Sequence, residues 1–253
     1  MNWIGLHTML KREVRRTFRV AVQTLVAPII SASLYIFIFG IVIGTQIETV
    51  LGVPYISFVF PGILMLSVIN ASFSSASSSL YFMRFSRGIE EILIAPFSYF
   101  EMLVGFLSGA LFRAFLVASL ITGVGYLFGA VVLIHPILFF SVIMGIAGIF
   151  ALLGIIVALW AESFEQLQVL NTFVITPLTY LGGIFYSITF LPDVAATLTK
   201  LNPFFYFSNS VRYAMVGVSE VSVSLGVIII SSLFLLTFLL VLYLLKIGWK
   251  IRN

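Results

Sequence analysis

Charge is absent from this sequence over long stretches. No Asp, Glu, Lys or Arg occurs between Arg19 and Glu48, Glu48 and Arg84, Arg113 and Glu162, Glu165 and Asp193, or Glu220 and Lys246. A helix needs roughly 20 apolar residues to cross a hydrocarbon layer. A chain built from such runs has too little polar material to cover a water-facing exterior. With 61% hydrophobic and 9% charged residues and a mean hydropathy of +1.20, the composition points the same way. The runs are continuous and do not alternate, which selects helices over an outer-membrane barrel.

Four gaps hold one span each. The Arg113–Glu162 gap is too long for one and breaks between Gly129 and Pro136. The predicted spans are Val20–Gly44, Ser57–Phe82, Tyr99–Leu127, Ile137–Trp160, Leu167–Tyr186 and Ser224–Leu245. The expected fold is therefore an all-α polytopic membrane protein with six transmembrane helices, one transmembrane domain covering 1–253. Lys11, Arg12, Arg15, Arg16, Arg19, Arg84, Arg87, Lys246, Lys250 and Arg252 fall on one side, and Lys200 and Arg212 on the other. By the positive-inside bias, both termini are expected in the cytoplasm. The apolar run after the N-terminal basic stretch continues to Gly44, so it reads as a retained signal-anchor, not a cleaved leader.

Three segments lie outside the spans. Residues 1–19 carry Trp3, Leu6, Leu10, Val14 and Phe18 at helical intervals with the basic residues on other faces. This is an amphipathic interface helix, either an anchor that sets orientation or also a contact for a cytoplasmic partner. Residues 84–97 place Ile89, Ile92 and Leu93 on one helical face before Pro96. Such a helix, held between two spans, is built to transmit a push or serves as a packed connector. Residues 187–223 are too apolar for a solvated loop and read as half-helices re-entering the outer leaflet, punctuated at Asn202-Pro203.

Within the spans, Gln168, Thr172, Thr176, Thr179 and Gly183 form a mildly polar stripe. Span two is rich in serine, which suits close packing and interhelical hydrogen bonds, as do Gly40-xxx-Gly44, Gly105-xxx-Gly109 and Gly125-xxx-Gly129. Pro28 and Pro177 are expected to kink their helices. Arg113 is an intramembrane charge with no carboxylate in reach on its own span, so it has either a functional partner elsewhere or a snorkelling side chain.

Three blocks carry a resemblance. Phe60-Pro61-Gly62 opens span two, and Arg87-Gly88-Ile89-Glu90-Glu91-Ile92-Leu93-Ile94-Ala95-Pro96-Phe97-Ser98 follows it. The third runs from Thr176-Pro177 through Leu181-Gly182-Gly183-Ile184-Phe185-Tyr186, Leu191-Pro192 and Leu201-Asn202-Pro203 to Arg212-Tyr213 and Gly217. In this order, over almost the whole chain, they resemble the membrane permease subunit of type 2 ABC exporters. The resemblance implies two permease copies (a homodimer or pseudo-dimer) with two cytoplasmic ABC ATPase subunits. Arg84, Arg87, Gly88, Glu90, Glu91, Leu93 and Pro96 would form an ATPase-coupling helix. Gln168, Thr172, Thr176, Thr179, Phe185, Tyr186, Pro192, Asn202 and Pro203 would form the translocation path and outer gate. It also implies a bacterial inner membrane location.

The chain has no GxxxxGK[ST] loop, so ATP and Mg are expected only in a partner. An ion-coupled carrier would bury acidic relays in its spans, whereas all nine acidic residues are expected near span ends or in loops. No GxSxG elbow or HExxH motif supports an intramembrane enzyme. The absence of cysteine rules out thiolate chemistry, and His7 and His135 have no carboxylates at ligand spacing, so neither catalytic residues nor a metal site are expected. A net charge of +4, scattered, does not suggest nucleic acid. The expected cargo is amphipathic, with drug, lipid, polysaccharide and lipid-linked glycan all open.

Overall fold

The computed structural model describes residues 3–47, 49–95 and 97–250. Among them, five helices are long and apolar enough to cross a membrane. The first crossing segment, Val22–Gly40, consists of helix α2 (Ala27–Ile36) between two π-helical turns at Val22–Val26 and Phe37–Val42. The others are α3 (Tyr55–Phe85), α5 (Tyr99–Leu127), α6 (Pro136–Trp160) and α10 (Val223–Ile247). Shorter helices are α1 (Trp3–Arg19), α4 (Gly88–Ile94), α7 (Thr176–Tyr180), α8 (Asp193–Leu201) and α9 (Pro203–Val216).

The helix ends follow local chemistry. Ser98 and Glu101 form a capping box at the start of α5, with Ser98 N–H donating to Glu101 Oε2 at 2.8 Å and Glu101 N–H to Ser98 Oγ at 3.2 Å. Pro136 opens α6, where a missing N–H is harmless. Asn202 accepts from Phe204 N–H at 3.0 Å and Pro203 follows, so that pair starts α9. The only strands among the described residues are β1 (Thr49–Val50) and β2 (Val53–Pro54), an antiparallel pair absent from the sequence-based reading. Leu51 and Gly52 between them have φ of 52° and 78°, as a type I′ turn requires.

The predicted span Leu167–Tyr186 needs correction. Its helical part runs only from Glu165 to Tyr180, as a 3₁₀ turn (Glu165–Gln168), a π-helical turn (Asn171–Ile175) and α7. At 1.5 Å per residue this reaches about 24 Å, short of the roughly 30 Å of a hydrocarbon core. Pro177 explains the irregularity: it offers no N–H to the preceding turn, and the chain takes up a π register ahead of it, with Thr176 N–H donating to Asn171 O. The segment ends at Gly182-Gly183, where Gly183 adopts φ 70°. The same device precedes Pro28, where Ala27 N–H donates to Val22 O. Register shifts thus stand at both prolines expected to act as kinks.

The core is the contact of α3 with α6 and α5. Gly154 allows the closest approach: a Cβ there would lie 2.6 Å from the Phe73 carbonyl oxygen of α3. Residues of Val22–Gly40 are nearly all exposed or half-buried, with 11% of the segment's most apolar window buried against 78% for α6. Helix α1 does not present its apolar stripe inward. Trp3 and Phe18 are exposed, while Met9, Glu13 and Thr17, at four-residue intervals, pack on α5. Gly105 and Gly109 provide the seat, since a Cβ at Gly105 would meet Met9 and one at Gly109 would meet Glu13. The Gly105-xxx-Gly109 pair therefore admits the flanking helix and not a neighbouring span.

The 187–223 segment forms α8 and α9. Helix α9 is largely buried, packed among α3, α6 and α10. Its anchor is Arg212, fully buried: Nε donates to Phe58 O at 3.0 Å, Nη2 to Gly183 O at 2.8 Å, and the guanidinium stacks 3.8 Å from the Phe58 ring centroid. Nη1 lies 3.6 Å from Glu220 Oε2. Glu220 in turn accepts from the Ser187 hydroxyl and from Ile188 N–H at 2.8 Å.

Candidate functional site

A cleft of about 930 Å³ opens between Val22–Gly40, α3 and the Glu165–Tyr180 segment. One wall is α3, whose serines are pre-satisfied along their own helix: the Ser67 hydroxyl donates to Ile63 O at 3.0 Å and that of Ser78 to Ser74 O at 2.6 Å. They present oxygen lone pairs without leaving an N–H or O–H unpaired. Gln23, Thr24 and Ser31 contribute polar groups from the first segment, and Gln168 and Thr176 from the short one. Pro28, Leu66, Phe82, Phe164 and Leu167 make the rest apolar. The cleft is thus amphipathic, with scattered hydrogen-bonding groups on an oily surface.

Aromatic rings close one end. Phe39 and Phe185 stack with centroids 4.8 Å apart, Tyr180 stacks on Phe185 at 5.7 Å, and Tyr35 on Phe39 at 6.1 Å. The Tyr55 hydroxyl donates to Phe185 O at 3.0 Å, fixing the Phe185 backbone to the start of α3. Rings from the first segment and from the loop after α7 meet there, above Tyr35 and Tyr180 of the cleft.

The opposite, basic end holds a cluster that the sequence-based reading missed. Glu13 of α1 is 1% exposed. Its Oε1 accepts from Arg12 at 2.9 Å and from the Ser79 hydroxyl at 2.7 Å, and its Oε2 from Arg16 at 3.0 Å. Arg16 also donates to Ser78 Oγ at 3.1 Å and Ser75 O at 2.8 Å. Burial pulls the Arg16 guanidinium below its ordinary range, opposed by Glu13 and reinforced by Arg12. Arg113 of α5, 6% exposed, lies within electrostatic reach of Glu13 and Arg16. Glu13 lies outside the crossing segments, as expected of every acidic residue, but it is buried and not solvated. A signal existed: Glu13 is the one acid in a basic helix, and it shares a face with Met9 and Thr17.

Helix α4 projects from the basic end. Arg87 precedes it in the left-handed region at φ 57°. Ile89 is buried, and Arg87, Glu90, Glu91 and Leu93 are exposed, with Gly88 partly so. Pro96, named with them, lies outside the described residues. Arg84 differs from that group: it reaches back to donate to Ala158 O and, at 3.4 Å, to Ala161 O, capping the end of α6. Nearby, Lys250 pairs with Glu162 at 3.0 Å.

Of the residues expected on the path, Gln168 and Thr176 line the cleft and Phe185 sits in the aromatic closure. Thr172 is exposed outside its lining, and Thr179 is buried, its hydroxyl donating to Ile175 O. The Tyr186 hydroxyl donates to Leu181 O at 3.0 Å. Pro192 and Asn202-Pro203 act as helix starts for α8 and α9, and Asn202 Nδ2 ties to Leu178 O at 2.7 Å. These three organise the α8–α9 segment and do not line the cleft.

A multi-span helical bundle with an amphipathic cleft closed at one end and a projecting helix at the other defines a membrane permease. The chain belongs to the ABC-2 type transporter family, whose model it matches over residues 5–216. It is 35% identical over 233 residues to the inner membrane transport permease YadH of Escherichia coli (strain K12), the match covering 91% of each chain. It is also similar to nodulation protein J of Rhizobium meliloti (strain 1021), 27% identical over 230 residues, covering 89% of this chain and 86% of that one.

Proposed function

We propose that this protein is the permease subunit of an ATP-driven exporter in a bacterial inner membrane, moving an amphipathic substrate outward along the cleft. The cleft carries the reading: it is amphipathic, it is open along thinly buried helices, and its far end is closed only by stacked rings. A second copy of the chain would complete the path against the exposed faces of Val22–Gly40 and Glu165–Tyr180. Lys and Arg cluster at the α1, α4 and C-terminal end, which supports a cytoplasmic placement for that end and both termini.

Two ABC ATPase subunits, holding the ATP and Mg, would dock on the exposed face of α4. That helix offers Arg87, Glu90, Glu91 and Leu93 outward while Ile89 fastens it to the bundle. Arg84 ties the same corner to the end of α6, so a displacement of α4 is delivered to α3 and α6 together. Nucleotide acts as a ligand that favours one arrangement of the pair, and the cleft follows. In vesicles containing the permease with its ATPase, Glu90→Lys with Glu91→Lys is expected to abolish substrate-stimulated ATP hydrolysis while membrane insertion is unchanged. Full stimulation by that variant would remove α4 as the docking element, and uphill transport by the permease alone would overturn the exporter reading.

A further inference from the structure

Resting on the reading that the cleft carries substrate, we infer that its basic end is a receptor for an anionic headgroup, a phosphate or phosphate-like oxyanion, with Arg113 as the receiving cation. Two guanidiniums, Arg12 and Arg16, pair with one buried carboxylate, Glu13, and a third, Arg113, lies within electrostatic reach of it. Both oxygens of that carboxylate are already taken by Arg12, Arg16 and Ser79. Arg113 is left over: it is 6% exposed, it lines the cleft, and its Nε is buried without a hydrogen-bond partner. Among the described residues, no Asp or Glu lines the cleft beside it.

An uncompensated guanidinium at membrane level is strongly disfavoured, and a fork of N–H donors is suited to an oxyanion. Asn70 stands on the α3 wall of the same cleft with its Oδ1 also buried and unpartnered. Turning its amide presents two N–H donors to the same space. Arg16, held by Glu13 and Ser78, adds positive potential from the mouth. Leu66 on one side of them along α3, and Phe82 with Phe164 on the other, offer apolar surface for a tail. One end of the cleft thus selects charge and the rest selects grease.

The test uses the full-length protein in neutral phosphatidylcholine nanodiscs and two photoactivatable probes, phosphatidic acid and the matched diacylglycerol, with crosslinks mapped by mass spectrometry. Phosphatidic acid is expected to label cleft peptides at least about 10-fold more than diacylglycerol, and Arg113→Gln to remove that preference. Ser78→Asp keeps both arginines and places a carboxylate against the Arg16 guanidinium. It is expected to remove the preference too, and it carries the test if Arg113→Gln does not fold. Inorganic phosphate that competes at millimolar level would assign the site to the free oxyanion, and failure to compete would assign it to a tailed headgroup. Equal labelling by both probes, or an undiminished preference in folded variants, would overturn the anion site and leave the cleft as a path for neutral amphipaths. Absence of both probes from the cleft would overturn both readings.

Discussion

Replacing Arg212 by methionine isolates what holds the α8–α9 segment. The side chain is fully buried; its loss leaves the Glu220 carboxylate, 2% exposed, without its counter-charge and takes a donor from each of the carbonyls of Phe58 and Gly183. An uncompensated buried carboxylate costs about 3 kcal/mol or more. Each lost hydrogen bond to a carbonyl adds about 1 kcal/mol. The expected loss is about 5 kcal/mol, a fall of about 10–20 °C in Tm for a chain of this size. Adding Glu220→Gln removes the charge but keeps an oxygen to accept from Ile188 N–H, so the double variant should regain about 3 kcal/mol. Size-exclusion stability in detergent after a temperature series measures both. A double variant that melts as low as Arg212→Met would show that charge compensation is not what the arginine supplies.

Gly154→Ala is expected to destabilise by about 1–3 kcal/mol, because the new methyl meets a backbone oxygen that cannot turn aside, whereas Gly123→Ala on the open face of α5 should stabilise by about 0.5–1 kcal/mol. Thermal melts of the two variants check the contrast. Phe185→Ala removes the ring shared by Phe39 and Tyr180 and is expected to raise passive dye leak through proteoliposomes several-fold; leak at the wild-type level would remove the aromatic closure as a barrier. Lys250→Ala breaks an exposed pair with Glu162 and should change stability by less than about 1 kcal/mol, again read from the melt.

Helix existence was legible wherever burial in lipid and burial in protein ask for the same residues. Tyr99–Leu127 has the predicted bounds of α5, and α6 and α10 differ from theirs by one or two residues. The short Glu165–Tyr180 segment was overextended because Leu181 to Tyr186 is as apolar as a span, and hydropathy does not register the turn that Gly182-Gly183 makes. Buried charge was the harder part. Glu13 is satisfied by Ser79, 66 residues away, and Arg212 by a carbonyl 154 residues away. Partners that far along the chain are not written in the local sequence, although Glu13, as the one acid in a basic helix between Arg12 and Arg16, marked itself out. The cleft was half legible: the spacing of Gln168 and Thr176 marked one wall, but the α3 serines were assigned to packing when some of them do both.

The bundle is unevenly welded. Helices α3, α5, α6 and α9 interlock through groups that cannot slide, such as Gly154 under the Phe73 carbonyl and Arg212 bound to both α3 and the turn after α7. The two segments facing them across the cleft are attached lightly, and each carries an underwound turn just before a proline. Tightening one such turn to the ordinary pitch would swivel everything beyond it by about 100° without unfastening the block. The molecule thus divides into a chassis and a pair of hinged doors, and the aperture between them can widen at little expense to the fold.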